Sequence, residues 1–340
     1  MGTMLRGDDT SNRAYYVSDR TSDDVADEVQ QDHFLSLRRA AWAIVNSIVF
    51  CALLLTWPLV ANAQSPTKAA KLERAELATL SIEAFSGDLR IIESEGSEIE
   101  IVALENATEN ELAIMAGNEG HRLRVQGDLL FGERSCARHH NSGEVVTNSV
   151  NGHPVTAYPS LVIAVPPYTD IELEILAGSV LVEAGRSVKG ALKGCSQTVF
   201  ETPKSSLFLV SEDAATVNVS SVAMLDLDVS GGVRASVESI TGAASVNATG
   251  ASRVTITGMA GKLAANLYGA SQLTISQGDT TDLDLTMSGA TRFSHRGGVQ
   301  TANINLQRGA RASLALLSEL KSVALARATR LQVGESIISG

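Results

Sequence analysis

Aromatic residues are scarce, at 4% of the 340 residues, although hydrophobic residues of all kinds reach 44%. That shortage excludes a core built on packed rings, so the interior has to be filled by Val, Leu, Ile and Ala. Positive charge is also in deficit: 27 Lys and Arg against 38 Asp and Glu leave a formal net charge of -11. A sequence-independent nucleic-acid binder needs a broad positive field to neutralise phosphates, and nucleic acid is set aside as a partner on that ground. The motifs of common cofactor and hydrolase sites are missing too. There is no Gly-rich phosphate loop, no Gly-x-Ser-x-Gly elbow and no His-Glu-x-x-His pair, and no cofactor is expected.

What is present divides the chain by composition. Residues 1–37 are polar and mixed in charge with no sustained period, which predicts a disordered leader. Arg38 and Arg39 then precede the apolar run Ala40 to Val60, closed by Ala61-Asn62-Ala63. A positive flank, an apolar stretch and small residues before the cut predict a secretory signal over residues 38–63, cleaved after Ala63. The competing reading is an uncleaved membrane anchor, since about twenty weakly polar residues can span a bilayer. Both readings place the remainder outside the cytoplasm, in the periplasm, at the outer membrane or on the cell surface. Membrane contact is expected only if the signal is retained. Cys51 follows Val49-Phe50 instead of a lipidation box, so no lipid anchor is expected.

The decisive signal is internal repetition. Gly250-Ala251-Ser252, Gly269-Ala270-Ser271, Gly289-Ala290-Thr291 and Gly309-Ala310-Arg311 recur every nineteen or twenty residues, and Arg327-Ala328-Thr329 follows. Gly231-Gly232-Val233 falls in step before them, with Glu212-Asp213-Ala214, Gly194-Cys195-Ser196 and Gly178-Ser179-Val180 at looser spacing. Between the markers, runs such as Leu225-Asp226-Leu227-Asp228-Val229 and Val254-Thr255-Ile256 alternate apolar and polar residues, the period of a strand buried on one face. Two short strands in every twenty residues, joined by turns too short for a crossover helix, exclude a doubly wound sheet. The expected fold is all-β: a single-stranded parallel β-helix of about nine coils of 19–20 residues over 171–340. Gly231, Gly250, Gly269, Gly289 and Gly309 are its expected structural turns.

Residues 64–170 carry the same texture less regularly and predict a β-rich N-terminal cap, interrupted by an irregular insertion at 126–158. After the signal, two cysteines remain, Cys136 and Cys195. A bridge between them would close a loop of about sixty residues and contribute roughly 4 kcal/mol in the chain-entropy model. Two separate thiols are the alternative. Cys136 also stands near His139, His140 and His153, but the spacing lacks the paired pattern of a structural zinc site, and the stretch reads as a solvated loop with no metal.

The Val-Pro-Pro-x-Thr-Asp-Ile-Glu-Leu step at Val165 to Leu173 and the Ser-Gly and Gly-Ala-Ser repeats that follow it, together with the signal, resemble the bacterial putative-adhesin families with a head GIN domain. The resemblance covers about residues 76–335. It implies a β-helical fold and an envelope or surface location, and it implies no catalytic residues.

A search for chemistry finds little. β-Helix enzymes that act on polysaccharides gather acids and bases in a cleft. Here Asp226 and Asp228 lie about three coils, roughly 14 Å, from Asp282 and Asp284. They read as a solvated face, and His295 reads as structural or exposed. No catalytic residue is expected and the chain is read as a non-enzyme. One pattern stands out: Gln197, Arg234, Arg253, Gln272, Arg292 and Arg330 each follow a marker, and stacking would align them into a polar stripe. Such a stripe could hold an anionic envelope or extracellular polysaccharide multivalently, or its long stems could simply cover the coil edge. The functional expectation is an exported, adhesin-like binding or surface-presenting module. A self-associating scaffold of the cell envelope is the alternative, with a polysaccharide-acting enzyme behind both.

Overall fold

A computed structural model describes residues 79–105, 113–116, 122–127, 134–138, 145–150, 153–154, 159–201 and 205–340. The leader and the signal or anchor segment lie outside these residues, as do His139 and His140. All described residues belong to one compact unit, Ser65–Gly340. They form strands and no helix.

Alternation in the sequence becomes alternation in burial. In β1 (Thr79–Glu93), β2 (Glu100–Glu105), β3 (Ala113–Ala116) and β4 (Arg122–Gln126), Leu80, Ile82, Leu123 and Val125 turn inward. Next come β5 (Arg134–Arg138), β6 (Val145–Val150) and β7 (His153–Pro154), which form a separate three-stranded antiparallel sheet. The remaining strands are β8 (Ser160–Val165), β9 (Asp170–Val182), β10 (Ser187–Leu192), β11 (Ser196–Phe200), β12 (Ser206–Ser211) and β13 (Thr216–Val229). They continue as β14 (Arg234–Ala248), β15 (Arg253–Gly269), β16 (Gln272–Gly289), β17 (Arg292–Gln307), β18 (Arg311–Leu325), β19 (Arg330–Val333) and β20 (Ser336–Ser339).

From β9 onward each coil pairs in parallel with the next, so the chain is a parallel β-solenoid of about eight turns. Equivalent residues are mostly 19 or 20 apart, as in the Asn266–Asn247 and Thr301–Thr281 contacts. Inward residues stack in columns: Leu225, Ala244, Leu263, Leu283 and Ala302 on one side, Val217, Ala235, Val254, Leu273 and Phe293 on another. Small and branched side chains fill most of this interior, with single rings such as Phe200 and Phe293 among them.

Two features differ from the sequence reading. The coil has a third, short side, on which Ile240 pairs with Met259 and Met259 with Gly278. Ile240 and Met259 are single buried residues in glycine-rich steps, so no two-residue alternation marks that side. Stacking order also departs from chain order at the N-terminal end. β1 lies between β9 on one side and the pair β4 and β8 on the other. The chain runs outward through β4 and β8 and then passes back across β1 to begin β9. Antiparallel β2 and β3 cover the free edges of β8 and β4, which closes the outermost rung against further pairing.

The corners set the pitch. Gly250 has φ 69°, and its amide neighbour Ala251 donates to the Gly231 carbonyl of the coil below at 2.7 Å. A Cβ on Gly250 would lie 2.8 Å from that same oxygen. At Gly309 (φ 85°) the nearest atom to such a Cβ is 3.9 Å away, so only backbone strain opposes a side chain there. Gly250→Ala is therefore expected to cost about 1–3 kcal/mol, because it combines strain with collision. Gly309→Ala should cost about 1 kcal/mol. Chemical denaturation of the two variants beside the parent checks the order, and equal losses would show that the corner contact does not govern stacking.

Candidate ligand-binding face

The face that follows the glycine corner carries one outward residue per coil at its leading edge. Successive strands pair Thr216 with Arg234, Arg234 with Arg253, Arg253 with Gln272, Gln272 with Arg292, Arg292 with Arg311 and Arg311 with Arg330. Gln197 pairs with Thr216 one coil earlier. Each position is held by its own amide. Arg253 N–H donates to Val233 O at 2.8 Å, Gln272 N–H to Ser252 O at 2.9 Å and Arg292 N–H to Ser271 O at 3.0 Å. The next residue in each strand turns inward, among them Val254, Leu273 and Phe293, which fixes the preceding side chain outward. The five arginines are exposed and Gln272 is half-buried.

The sequence reading of this row missed Arg311. In that coil Arg308 (φ 55°) and Gly309 (φ 85°) share the left-handed corner, and Ala310 takes the buried place held by Ser271 and Thr291 in the coils below. The Gly-Ala marker is thus displaced by one residue, and Arg311 falls on the row instead of within the marker. Aligning the inward pair Ala312 and Leu314 with Phe293 and His295 would have found it.

A second row runs beside the first, two residues further along each strand: Ser236, Thr255, Thr274, Ser294 and Ser313, with Gln332 at the end. The face thus presents a line of guanidinium groups next to a line of hydroxyls.

Its electrostatics differ from those of the rest of the surface. Elsewhere many cations meet carboxylates: Arg90 with Glu183, Arg122 with Glu172, Arg124 with Glu83, Arg186 with Asp170, Lys193 with Glu174, and Lys262 and Lys321 with Asp282; the cations outside the row without such a partner among the described residues, Lys189, Arg296, Arg308 and Arg327, form no comparable row. These contacts leave a mark on the acids. Arg90 holds the Glu183 carboxyl below its ordinary range, and the Thr301 hydroxyl, with Lys321 and Lys262, does the same for Asp282. Arg234, Arg253, Arg292, Arg311 and Arg330 have no ion pair or side-chain hydrogen bond among the described residues. In a chain with a net charge of -11, a row of five unneutralised arginines is a local inversion of sign.

The other residues singled out in the sequence fall elsewhere. Asp226 and Asp284 share an outward column but are separated by Ser245 and Ala264. Asp284 accepts from Asn303 at 2.7 Å and Asp282 from Thr301 at 2.7 Å, so these acids are tied into the ladders of their own face. No group of three or more metal-ligating side chains occurs among the described residues. Cys195 is buried and disulfide-bonded; the side chain of Cys136 lies outside those described.

His295 is buried at 1% exposure, inward-facing, at a place held by Ile275 and Leu314 in the adjoining coils. Gly297 N–H donates to its Nδ1 at 3.1 Å, so that nitrogen carries no proton. The ring is then neutral, and its Nε2–H donates to Thr280 Oγ1 at 2.9 Å. Burial holds its pKa below the ordinary value.

No protein-family model, curated protein or solved structure matches the chain. The resemblance to the head GIN adhesin families therefore rests on the sequence motifs themselves.

The His295 arrangement has a signed consequence. With its folded pKa depressed, His295 supports the fold fully above the unfolded value of about 6.5, and that contribution is lost as pH falls through the folded value. The double variant His295→Leu, Thr280→Val is expected to lose less stability than the parent on acidification from neutral pH to below the ordinary histidine range. Denaturant midpoints measured across that window check it, and parallel curves would contradict it.

Proposed function

We propose that this protein is a non-enzymatic, exported β-solenoid that binds or presents a partner on a flat outer face, in the manner of an adhesin. The partner is an acidic glycan of the cell envelope or its surroundings. The observation that carries this reading is the in-register row Arg234, Arg253, Arg292, Arg311 and Arg330, exposed and without carboxylate partners among the described residues. Assembling five like charges is unfavourable unless something neutralises them, and an acidic polymer does so with many weak contacts acting together. The export signal read in residues 38–63 and the resemblance to adhesin families support an envelope setting. An enzymatic reading is weaker because the aspartates are spread along the stack and Asp282 and Asp284 are bonded to the next coil.

A scaffold that associates through its C-terminal end is the second reading. The inward residues of the last coil, Leu320, Val323 and Leu325, are only partly buried, whereas their counterparts Leu283, Leu285 and Met287 two coils earlier are fully covered. Replacing Arg253 and Arg292 together by Glu is expected to lower binding to acidic polysaccharide by roughly tenfold or more while leaving the solenoid folded. A pull-down with immobilised polyuronate and circular dichroism on the same samples check this; undiminished binding would remove the stripe from the function. Size-exclusion chromatography separates the readings: a mass well above that of one chain favours the scaffold.

A further inference from the structure

We infer that the acidic glycan lies along the solenoid axis, with one acid group taken up per coil from Arg234 to Arg330 and its hydroxyls directed to the adjoining Ser/Thr row. This deepens the binding role proposed above and rests on it.

The direction follows from where the charges are. Along a strand of this face the cationic place is followed by a hydroxyl, Arg253 then Thr255, Arg292 then Ser294, Arg311 then Ser313, and only β17 adds a second arginine, Arg296. A chain laid across the coils would therefore meet one arginine, or two at β17. Laid along the axis, it meets one at each rung, at a separation of about 4.8 Å. From Arg234 to Arg330 the row crosses five rung intervals, roughly 24 Å. A compact anion such as a single phosphate could engage at most neighbouring members, so the array is longer than a small ligand can use.

The one neutral rung supports the same arrangement. Gln272 keeps a hydrogen-bond donor in line where the charge is interrupted. It also shows that glutamine is accommodated at this position without altering the ladder. The hydroxyl row, two residues along each strand, runs parallel to the arginines at about 7 Å. An acid-bearing sugar ring offers groups of both kinds, a carboxylate or sulfate and its free hydroxyls.

Preorganisation favours a long ligand. Each arginine's backbone is bonded to the coil below, as Arg253 is to Val233 and Arg311 to Thr291, so the spacing of the row does not have to be organised on binding. Further acid groups then bind at high effective concentration once the first is held. Carboxylated and sulfated glycans share the recognised chemistry. Duplex nucleic acid would need positive charge over a wider surface than one column.

The experiment uses the full chain after its signal and fluorescently labelled oligogalacturonides of graded length, with dextran sulfate, neutral dextran and duplex DNA as comparison probes. Affinity is expected to rise with length and to level off once the oligomer covers the row. Arg253→Gln and Arg311→Gln should each lower affinity for a long oligomer by a similar factor, and their double variant by about the product. The same substitutions should matter less for the shortest oligomers. Thr255→Val with Thr274→Val should weaken binding without changing its salt dependence. Dextran sulfate binding that depends on the same arginines supports the shared acid chemistry and extends it to sulfate.

Binding that is independent of oligomer length, or a loss confined to one arginine, would overturn the axial track while leaving a glycan-binding role in place. Duplex DNA or neutral dextran binding as well as the acidic oligomers would overturn the ligand class. If no acidic glycan binds the folded chain, the proposed function falls together with this inference.

Discussion

Every feature of this molecule depends on one contact, the seating of each coil's backbone on the coil beneath it. The parallel hydrogen bonds hold equivalent residues in line, and the glycine corner lets the chain turn without a side chain striking the carbonyl below. Ala251 N–H on Gly231 O and Ala270 N–H on Gly250 O, both 2.7 Å, are the clearest examples. Where the corner residue is not glycine, as at Arg308 and Ala328, the backbone takes the left-handed conformation at a cost in strain. Stacking then converts a one-dimensional repeat into rows: inward columns that make a dry core, and outward columns that make the surface.

Much of this is legible in the sequence. The strand alternation, the corner glycines and the coil length are all local signals, and local signals survive in a solenoid because neighbours in space are neighbours in repeat. What was hidden depended on longer range. Nothing in Leu80 to Ile91 announces that this strand lies between β9 and the pair β4 and β8, because the passage of the chain across it is a matter of topology. The third side of the coil escaped because Ile240 and Met259 each stand alone as inward residues among glycines. Arg311 escaped because the marker drifted by one residue at a corner where Arg308 replaced glycine. His295 reads in the sequence as structural or exposed, and its hydrogen bonds to Thr280 and Gly297 decide for the core.

The same regularity shapes the function. Among the described residues the aspartates singled out in the sequence are spread along the stack, and Asp282 and Asp284 are tied to Thr301 and Asn303 of the next coil. A solenoid does offer repetition, since any outward side chain retained from coil to coil becomes a ruler at strand spacing. Most columns here mix neutral and charged residues. The leading column of the face after the glycine corner keeps arginine in five coils out of six from Arg234 to Arg330, next to hydroxyls, in a chain otherwise rich in carboxylates.

The central claim is that this column works as one extended cationic surface. The most direct measurement is the affinity of the folded chain for a long acidic polysaccharide over a series of salt concentrations. Engagement of several arginines at once predicts an affinity that falls steeply with salt, by far more than a single ion pair would give. An affinity that does not change with salt would contradict the account.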